Sequence, residues 1–381
     1  SVMSEETKKA PAIRFQGFTD DWEQRELKEI LKVNSGRDYK HLGSGSIPVY
    51  GTGGYMLSVN DKLSDKDAIG IGRKGTIDKP QYLKAPFWTV DTLFFMIPLN
   101  NFDLQFLYTM TQKINWKKMD ESTGVPSLSK AVIEKVNQNI PSYQEQIKIG
   151  GFFKQLDNTI ALHQQKQRQI RSLKQGFIKN LFPNNKNSAP RIRFSIFNDD
   201  WNQRNASEIF TSVSDKNYPE LPVLSASQEK GMVLRESNGI DIKYDQKSTG
   251  TYKRVLPGQF VMHLRSFQGG FAYSTIEGIT SPAYTILAFR NKEDHYPLFW
   301  KSIFSSKNFI KRLEAITYGI RDGRSISYAD FSTLRFWIPS YEEQKQIGDF
   351  IESIDATIAF YQRQIDMMQS LKKELLNKMF I

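Results

Sequence analysis

The chain has 381 residues, with 52 Lys and Arg against 41 Asp and Glu, a formal net charge of +11 and no cysteine. That length suffices for two domains with cores of their own, and a hydrophobic content of 39% excludes a disordered chain. The lack of cysteine excludes disulfides and thiolate metal sites and suits a reducing cytoplasm, while the basic excess favours a polyanionic partner such as nucleic acid.

The first recognisable segment is "PAIRFQGFTDDWEQRELKEI" from Pro11. After it, short apolar stretches such as "IPVY", "AIGIG" and "FWTVDTLFFMI" are separated by Gly, Pro, Asn and Asp, and read as strands joined by turns. "DLQFLYTMTQKI" from Asp103 reads as a helix, and "IPSYQEQIKIGGFFKQLDNTIAL" from Ile140 opens a much longer one. The order then repeats. "PRIRFSIFNDDWNQRNASEI" from Pro190 matches the opening at a shift of 179, and strand-like "QFVMHL" and "SPAYTILAF" follow. Helical "YPLFWKSIFSSKNFIKRLEAI" comes next, and residues 338–380 repeat 140–182 at a constant shift of 198. The difference between the shifts leaves the second domain about nineteen residues longer than the first.

The organisation expected is therefore a first α+β domain over 11–140, a helix over 141–183, a link over 184–189, a second α+β domain over 190–338 and a second helix over 339–381. Both domains are expected to carry sheets of short strands. Ile149, Phe153, Leu156, Ile160, His163, Gln167 and Ile170 recur at spacings of three and four in the first helix. Ile347, Ile351, Ile354, Ile358, Tyr361, Ile365 and Met368 do so in the second. Such stripes are coiled-coil seams, each facing one partner helix. Pro141 and Pro339 precede the helices, Ser142 and Ser340 stand ready to cap them, and Glu145 and Glu343 follow at capping-box spacing. A helix of some forty residues spans roughly 60 Å. The link "PNNKNSAP" is too short to return along it. The expected product is an antiparallel helical pair separating two domains about a pseudo-two-fold axis.

Motifs for catalysis are missing. There is no Gly-Lys dipeptide for a phosphate loop and no Pro-Pro for an adenine-methyltransferase loop. His41, His163, His263 and His295 lack metal-ligand spacing. Asp241-Ile-Lys243 and Glu26-Leu-Lys28 match fragments of nuclease motifs, but such triplets arise readily by chance. The pattern is that of a binding protein. Glycine-rich turns supply the candidate contacts: "YGTGGY" with Thr52 and Gly53, "IGRKGTID" with Arg73 and Lys74, and "STGVPSLS" with Ser122. In the second half, "RSFQGG" with Arg265 and Gln268, and "YGIRDGRSIS" with Tyr318, Arg321, Arg324 and Ser325 stand in comparable places. Glycine lets a backbone approach phosphate, and Arg and Gln can address base edges. Taken singly, each turn is equally a tight turn with solvated charges; as a recurring set they point to DNA.

The opening "IRFQGFTDDWEQRELKEI", the "IPVYGTGG" and "IGRKG" turns and the paired "IPSY-x-EQ" helices resemble the specificity subunit of a type I restriction–modification system, over nearly the whole chain. The resemblance implies two target-recognition domains, each reading one half of an asymmetric bipartite site on double-stranded DNA through its loops, with Ser227 and Gln228 joining the candidates of the second domain. It implies helices that set the gap and dock two modification subunits. It implies no cofactor in this chain, S-adenosylmethionine in the modification partner, and ATP and Mg in the restriction subunits. No membrane partner is expected. The competing account is a coiled-coil structural adaptor between proteins with no sequence-selective DNA binding.

Overall fold

The computed structural model describes residues 10–183, 188–227, 230–238, 246–317 and 326–381. They form two compact units, one of residues 1–165 with 362–381 and the other of residues 166–361. Each unit therefore owns part of both long helices.

Unit 1 begins with β1 (Glu23–Glu26), α1 (Leu27–Ile30), β2 (Leu31–Ser35), β3 (Ser44–Gly51), β4 (Gly54–Val59) and β5 (Ala68–Gly72). It continues with β6 (Gln81–Leu83), β7 (Trp88–Thr89), β8 (Leu93–Pro98), α2 (Leu104–Lys113), α3 (Lys130–Glu134) and β9 (Asn137–Ile140), then enters α4 (Tyr143–Leu181). Strands β2-β8-β5-β6 form one antiparallel sheet, β4-β3-β7 a second, and β1 pairs with β9 just ahead of the long helix. The apolar run 87–97 is broken into two strands by a turn, because Val90 N–H donates to Tyr50 O and Leu93 N–H to Val90 O, both at 3.0 Å. Side chains of β8 alternate between two cores. Phe94 and Met96 join Trp22, Phe106 and Phe153 on one face, while Leu93 and Phe95 join Val49, Phe87 and Trp88 on the other. A sheet covered on both faces reads as a continuous apolar run, which accounts for "AIGIG" being wholly buried.

Unit 2 comprises β10 (Asn202–Asn205), α5 (Ala206–Ile209), β11 (Phe210–Val213), β12 (Leu224–Ser227), β13 (Gly231–Leu234), β14 (Lys253–Val255), β15 (Phe260–Met262) and α6 (Ser266–Gly269). Then come β16 (Ala272–Tyr273), β17 (Gly278–Thr280), β18 (Thr285–Phe289), α7 (Pro297–Phe304), α8 (Lys307–Ala315), α9 (Tyr328–Ser332), β19 (Arg335–Ile338) and α10 (Tyr341–Met379). Its sheet β11-β18-β15-β16 has the same order as β2-β8-β5-β6, and β10-β19 repeats β1-β9. The same alternation sends Leu287 and Phe289 to a large aromatic core and Ile286 to a smaller one. The remaining strands differ: β12-β13 and β14-β17 are separate pairs where unit 1 has its three-stranded sheet. The helical stretch from Tyr296 is two helices, since Ser306 Oγ accepts from Phe309 N–H at 3.2 Å and caps α8.

Within each unit the long helices run antiparallel. In unit 1 Asp157 pairs with Lys372 at 2.7 Å, and Leu156 and Ile160 pack on Ile365 and Met368. In unit 2 Gln167 Nε2 donates to Ile358 O at 3.3 Å, Lys174 pairs with Asp355 at 2.5 Å and Phe177 meets Phe350 with ring centroids 5.0 Å apart. Ile358 is buried and Ile170 half-buried. Near each helix N-terminus the stripe also enters a domain core. Ile149 and Phe153 sit in the main core of unit 1, and Ile347, Ile351 and Ile354 pack into that of unit 2. The capping expectation changes too. Ser142 and Ser340 accept from Glu145 and Glu343 N–H at a long 3.4 Å, but the two carboxylates turn away from the helix to arginines. A bidentate guanidinium outcompetes a single backbone N–H.

Candidate nucleic-acid interface

Three loops of unit 1 meet. The β3–β4 turn carries Thr52 and Gly53 and closes at Gly54, whose φ of +108° favours glycine. Gln81 Nε2 pins it by donating to Gly51 O at 2.9 Å and Thr52 O at 3.2 Å. The loop after β5 carries Arg73 and Lys74, whose N–H groups donate to Thr92 O at 2.8 and 3.3 Å. A Cβ on Gly75 would lie 3.6 Å from Thr52 Oγ1, so this loop abuts the hairpin turn. The third loop holds Ser122. Gly75 N–H donates to Pro126 O at 2.8 Å and Leu128 N–H to Arg73 O at 2.9 Å. Asp120 Oδ1 ties it together, accepting from Ser127 N–H and Ser122 N–H at 2.9 Å and from Ser122 Oγ at 2.8 Å. These donors hold the Asp120 carboxyl below its usual range.

The result is a surface with exposed cations and exposed apolar groups side by side. Arg73 and Lys74 are exposed, and among the described residues neither has a carboxylate in ion-pair reach. Arg73 lies over the Phe94 ring, 5.9 Å from its centroid. Tyr55 and Met56 at the start of β4 and Val125 in the third loop stand out in solvent, Tyr55 with 62% of its surface exposed.

Unit 2 builds a counterpart after β15, the strand in the place of β5. Arg265, just before α6, and Gln268, within it, are exposed on a turn closed by its own hydrogen bonds. Arg265 N–H donates to His263 Nδ1 at 3.3 Å, His263 N–H to Ser266 Oγ at 2.9 Å, and Gln268 N–H to Arg265 O at 2.9 Å. Gly270 has φ +82°, and a Cβ there would meet Phe304 O at 1.9 Å. Burial pushes the His263 imidazole down to about 4. Ser227, at the end of β12, accepts from Lys230 N–H at 3.3 Å, and a cleft of about 120 Å³ joins Ser227, Lys230 and Gly231 to His263 and Gly269. Gln228, Tyr318, Arg321, Arg324 and Ser325 lie outside the described residues, as does the Asp241-Ile-Lys243 triplet. Glu26 pairs with Lys28 on the surface beside β1.

Sequence reading missed two features. His263 passes for a scattered histidine, although it closes the loop that bears Arg265. Arg14 and Arg193 go unnoticed, although each holds a buried glutamate; their signal is the repeated "IRF" paired with the repeated "EQ". Among the described residues no cluster of His, Asp and Glu is placed to hold a metal ion, and no helix is long and apolar enough to cross a membrane.

Residues 19–172 match the family model of the type I restriction modification DNA specificity domain. The chain is 22% identical over 298 residues to the type I restriction enzyme MjaVIII specificity subunit of Methanocaldococcus jannaschii, covering 72% of this chain and 68% of that protein. The fold resembles the S subunit of a type I restriction–modification system from M. genitalium, with a TM-score of 0.67, 14% identity and coverage of 98% of this chain and 99% of the other. Residues 19–172 thus carry a type I restriction modification DNA specificity domain, and most of the chain is similar to specificity subunits. A chain from a structure on complex assembly and conformational transition of a type I system is also similar, with a TM-score of 0.51, 14% identity and coverage of 94% and 97%. Specificity subunits of these systems are non-catalytic, and other subunits carry out methylation and cleavage. The adaptor account finds no support in these matches.

Proposed function

We propose that each unit reads one half of an asymmetric, gapped sequence on double-stranded DNA through its loop cluster. In unit 1 the contacts are Thr52, Gly53, Arg73, Lys74 and Ser122; in unit 2 they are Ser227, Gln228, Arg265 and Gln268, with Tyr318, Arg321, Arg324 and Ser325. The reading is carried by the convergence of three loops that present Arg73 and Lys74 without a carboxylate partner among the described residues. Guanidinium and ammonium groups left open in this way suit phosphate and the O6 and N7 acceptors of guanine. The exposed Tyr55, Met56 and Val125 beside them suit sugar and thymine methyl contacts. The net charge of +11 favours the same partner. Because the two loop clusters differ in sequence and in supporting strands, the half-sites differ.

In this reading α4 and α10 are the spacer, with Leu156, Ile160, Ile170, Ile358 and Ile365 along the helical pair and Ile149, Phe153, Ile347, Ile351 and Ile354 anchoring the helices in the domain cores. The domain limits are those expected from the repeats, 11–140 and 190–338. The helices dock two modification subunits that use S-adenosylmethionine, restriction subunits that use ATP and Mg join them, and the complex works in the cytoplasm. The test replaces Arg73 or Arg265 with Ala in the complex with the modification subunit. Each loss costs about 1–3 kcal/mol of discrimination at the base addressed, so methylation becomes relaxed at one half-site while assembly is retained. Normal methylation of the original target by both variants would refute the loop assignment.

A further inference from the structure

Each unit contains the same joint between its domain and the first turns of a long helix. In unit 1 Arg14 Nε donates to Glu145 Oε1 at 2.7 Å and its Nη2 to Oε2 at 2.8 Å, while Nη2 also donates to Asp20 O at 2.7 Å. In unit 2 Arg193 makes the same bonds to Glu343 at 2.8 and 2.7 Å and to Asp199 O at 2.5 Å. Both carboxylates are shut off from solvent, at 0% and 1% exposure. The next residue is shared as well. Gln146 accepts from Asp103 N–H at 3.0 Å and donates to Pro141 O at 2.9 Å; Gln344 accepts from Tyr296 N–H at 3.0 Å and donates to Pro339 O at 3.2 Å. One turn on, a Cβ at Gly150 would come within 2.7 Å of Phe106 N and one at Gly348 within 2.8 Å of Phe299 N. The long helices thus lie directly on the N-termini of α2 and α7.

A buried ion pair is a poor way to gain stability, because desolvation offsets most of the attraction and apolar side chains of similar size do as well. Its advantage is geometric, since two parallel charge-assisted bonds fix direction as well as distance. Domains that differ in strand pairing and in loops nonetheless keep this pair, the glutamine and the glycine at equivalent places. We propose that Arg14–Glu145 and Arg193–Glu343, seconded by Gln146 and Gln344, are positioning groups that set the angle between each DNA-reading domain and its helix. They thereby define how strictly the gap between half-sites is measured.

This inference rests on the DNA-reading function proposed above. The leverage is considerable: a domain of this size has a radius of about 20 Å, so a swing of about 10° at the joint moves its far loops by about 3.5 Å. That is one base-pair step, of about 3.4 Å.

The experiment uses the complex of the full chain with its modification subunits and a set of DNA duplexes. These carry the target with its own gap or with one base pair added or removed, and initial methylation rates are compared for wild type, Glu343→Gln and Arg193→Lys. Glu343→Gln is expected to lower the preference for the native gap by about tenfold, with methylation at the native gap kept within about threefold. Arg193→Lys keeps the charge without the bidentate geometry and is expected to fall between the two. A lower melting temperature with an unchanged gap preference in both variants would overturn the inference and leave the pair a structural contact. If Glu343→Gln does not fold, Arg193→Lys alone decides by the same ratio. Absence of any gapped target for wild type would instead contradict the underlying function.

Discussion

Units 1 and 2 hold their helices by the same joint and fasten the returning helix end alike, but unit 2 adds a polar grip. In unit 2 Ile192 N–H donates to Asn180 O at 3.0 Å, and Phe182 meets Phe299 at 5.5 Å. In unit 1 the end of α10 returns to the domain. Phe380 stacks on Phe106 at 5.3 Å and touches Trp22 and Phe153, Lys113 Nζ donates to Phe380 O at 2.8 Å, and Ile13 N–H donates to Lys378 O at 2.9 Å. In unit 2 polar side chains of α10 grip α7 and the residue before it. Tyr296 Oη donates to Asp349 Oδ1 at 2.5 Å, Lys345 pairs with Asp349 at 2.6 Å, and Lys301 pairs with Glu352 at 2.6 Å. At the positions of Lys345 and Asp349 the first helix has Ile147 and Gly151, so this grip is unavailable to unit 1. What the duplication kept is the framework that carries the helix and the fastening of the returning helix end; what it let diverge is the set of loops and the polar grip on α7.

Three substitutions separate the two halves. The largest effect is expected for Phe380→Ala. This residue is 4% exposed amid three aromatic rings, and its truncation should cost about 3–5 kcal/mol. Hydrogen exchange should show the loss in unit 1 with unit 2 unchanged; equal loss in both would break the comparison. Next comes the pH response of unit 2. The folded His263 takes up its proton only at about 4, whereas an unfolded histidine does so at 6.5. The unfolded chain therefore binds the proton first as pH falls. Stability from this site is complete above about pH 6.5, is lost towards pH 4, and is down by about 2 kcal/mol at pH 5. His263→Gln should abolish that part of the pH dependence in denaturant melts, and a variant with the wild-type slope would contradict the burial argument. The smallest effect is expected for Tyr296→Phe, which removes one hydrogen bond to a carboxylate and should lower unit 2 stability by about 1.5 kcal/mol. Unit 1 should not respond in the same melts.

Much of the framework was legible in the chain. The shift of 198 identified both long helices, because a helix that must pack along its length has to repeat its apolar spacing. The strand character of "AIGIG" and "TILAF" was legible for a similar reason, since a strand buried on both faces leaves little room for polar residues. Contacts distant in sequence were not. Glu145 sits at capping-box spacing from Ser142, and nothing local says that its carboxylate goes instead to Arg14, 131 residues away. The meeting of the Arg73 loop with residues 126–128 depends on how the sheet carries β5, which no local period encodes. The ends of the seams were misread as facing a helix alone because a residue such as Phe153 suits a helix partner and a domain core equally.

The central claim is that this chain selects a gapped DNA sequence for its modification partners. Its most direct test is methylation mapping in a methylation-free host that expresses the chain with its modification subunit. The account predicts a single asymmetric motif in two parts, methylated at one adenine on each strand. A stable complex that leaves no methylated motif would contradict it.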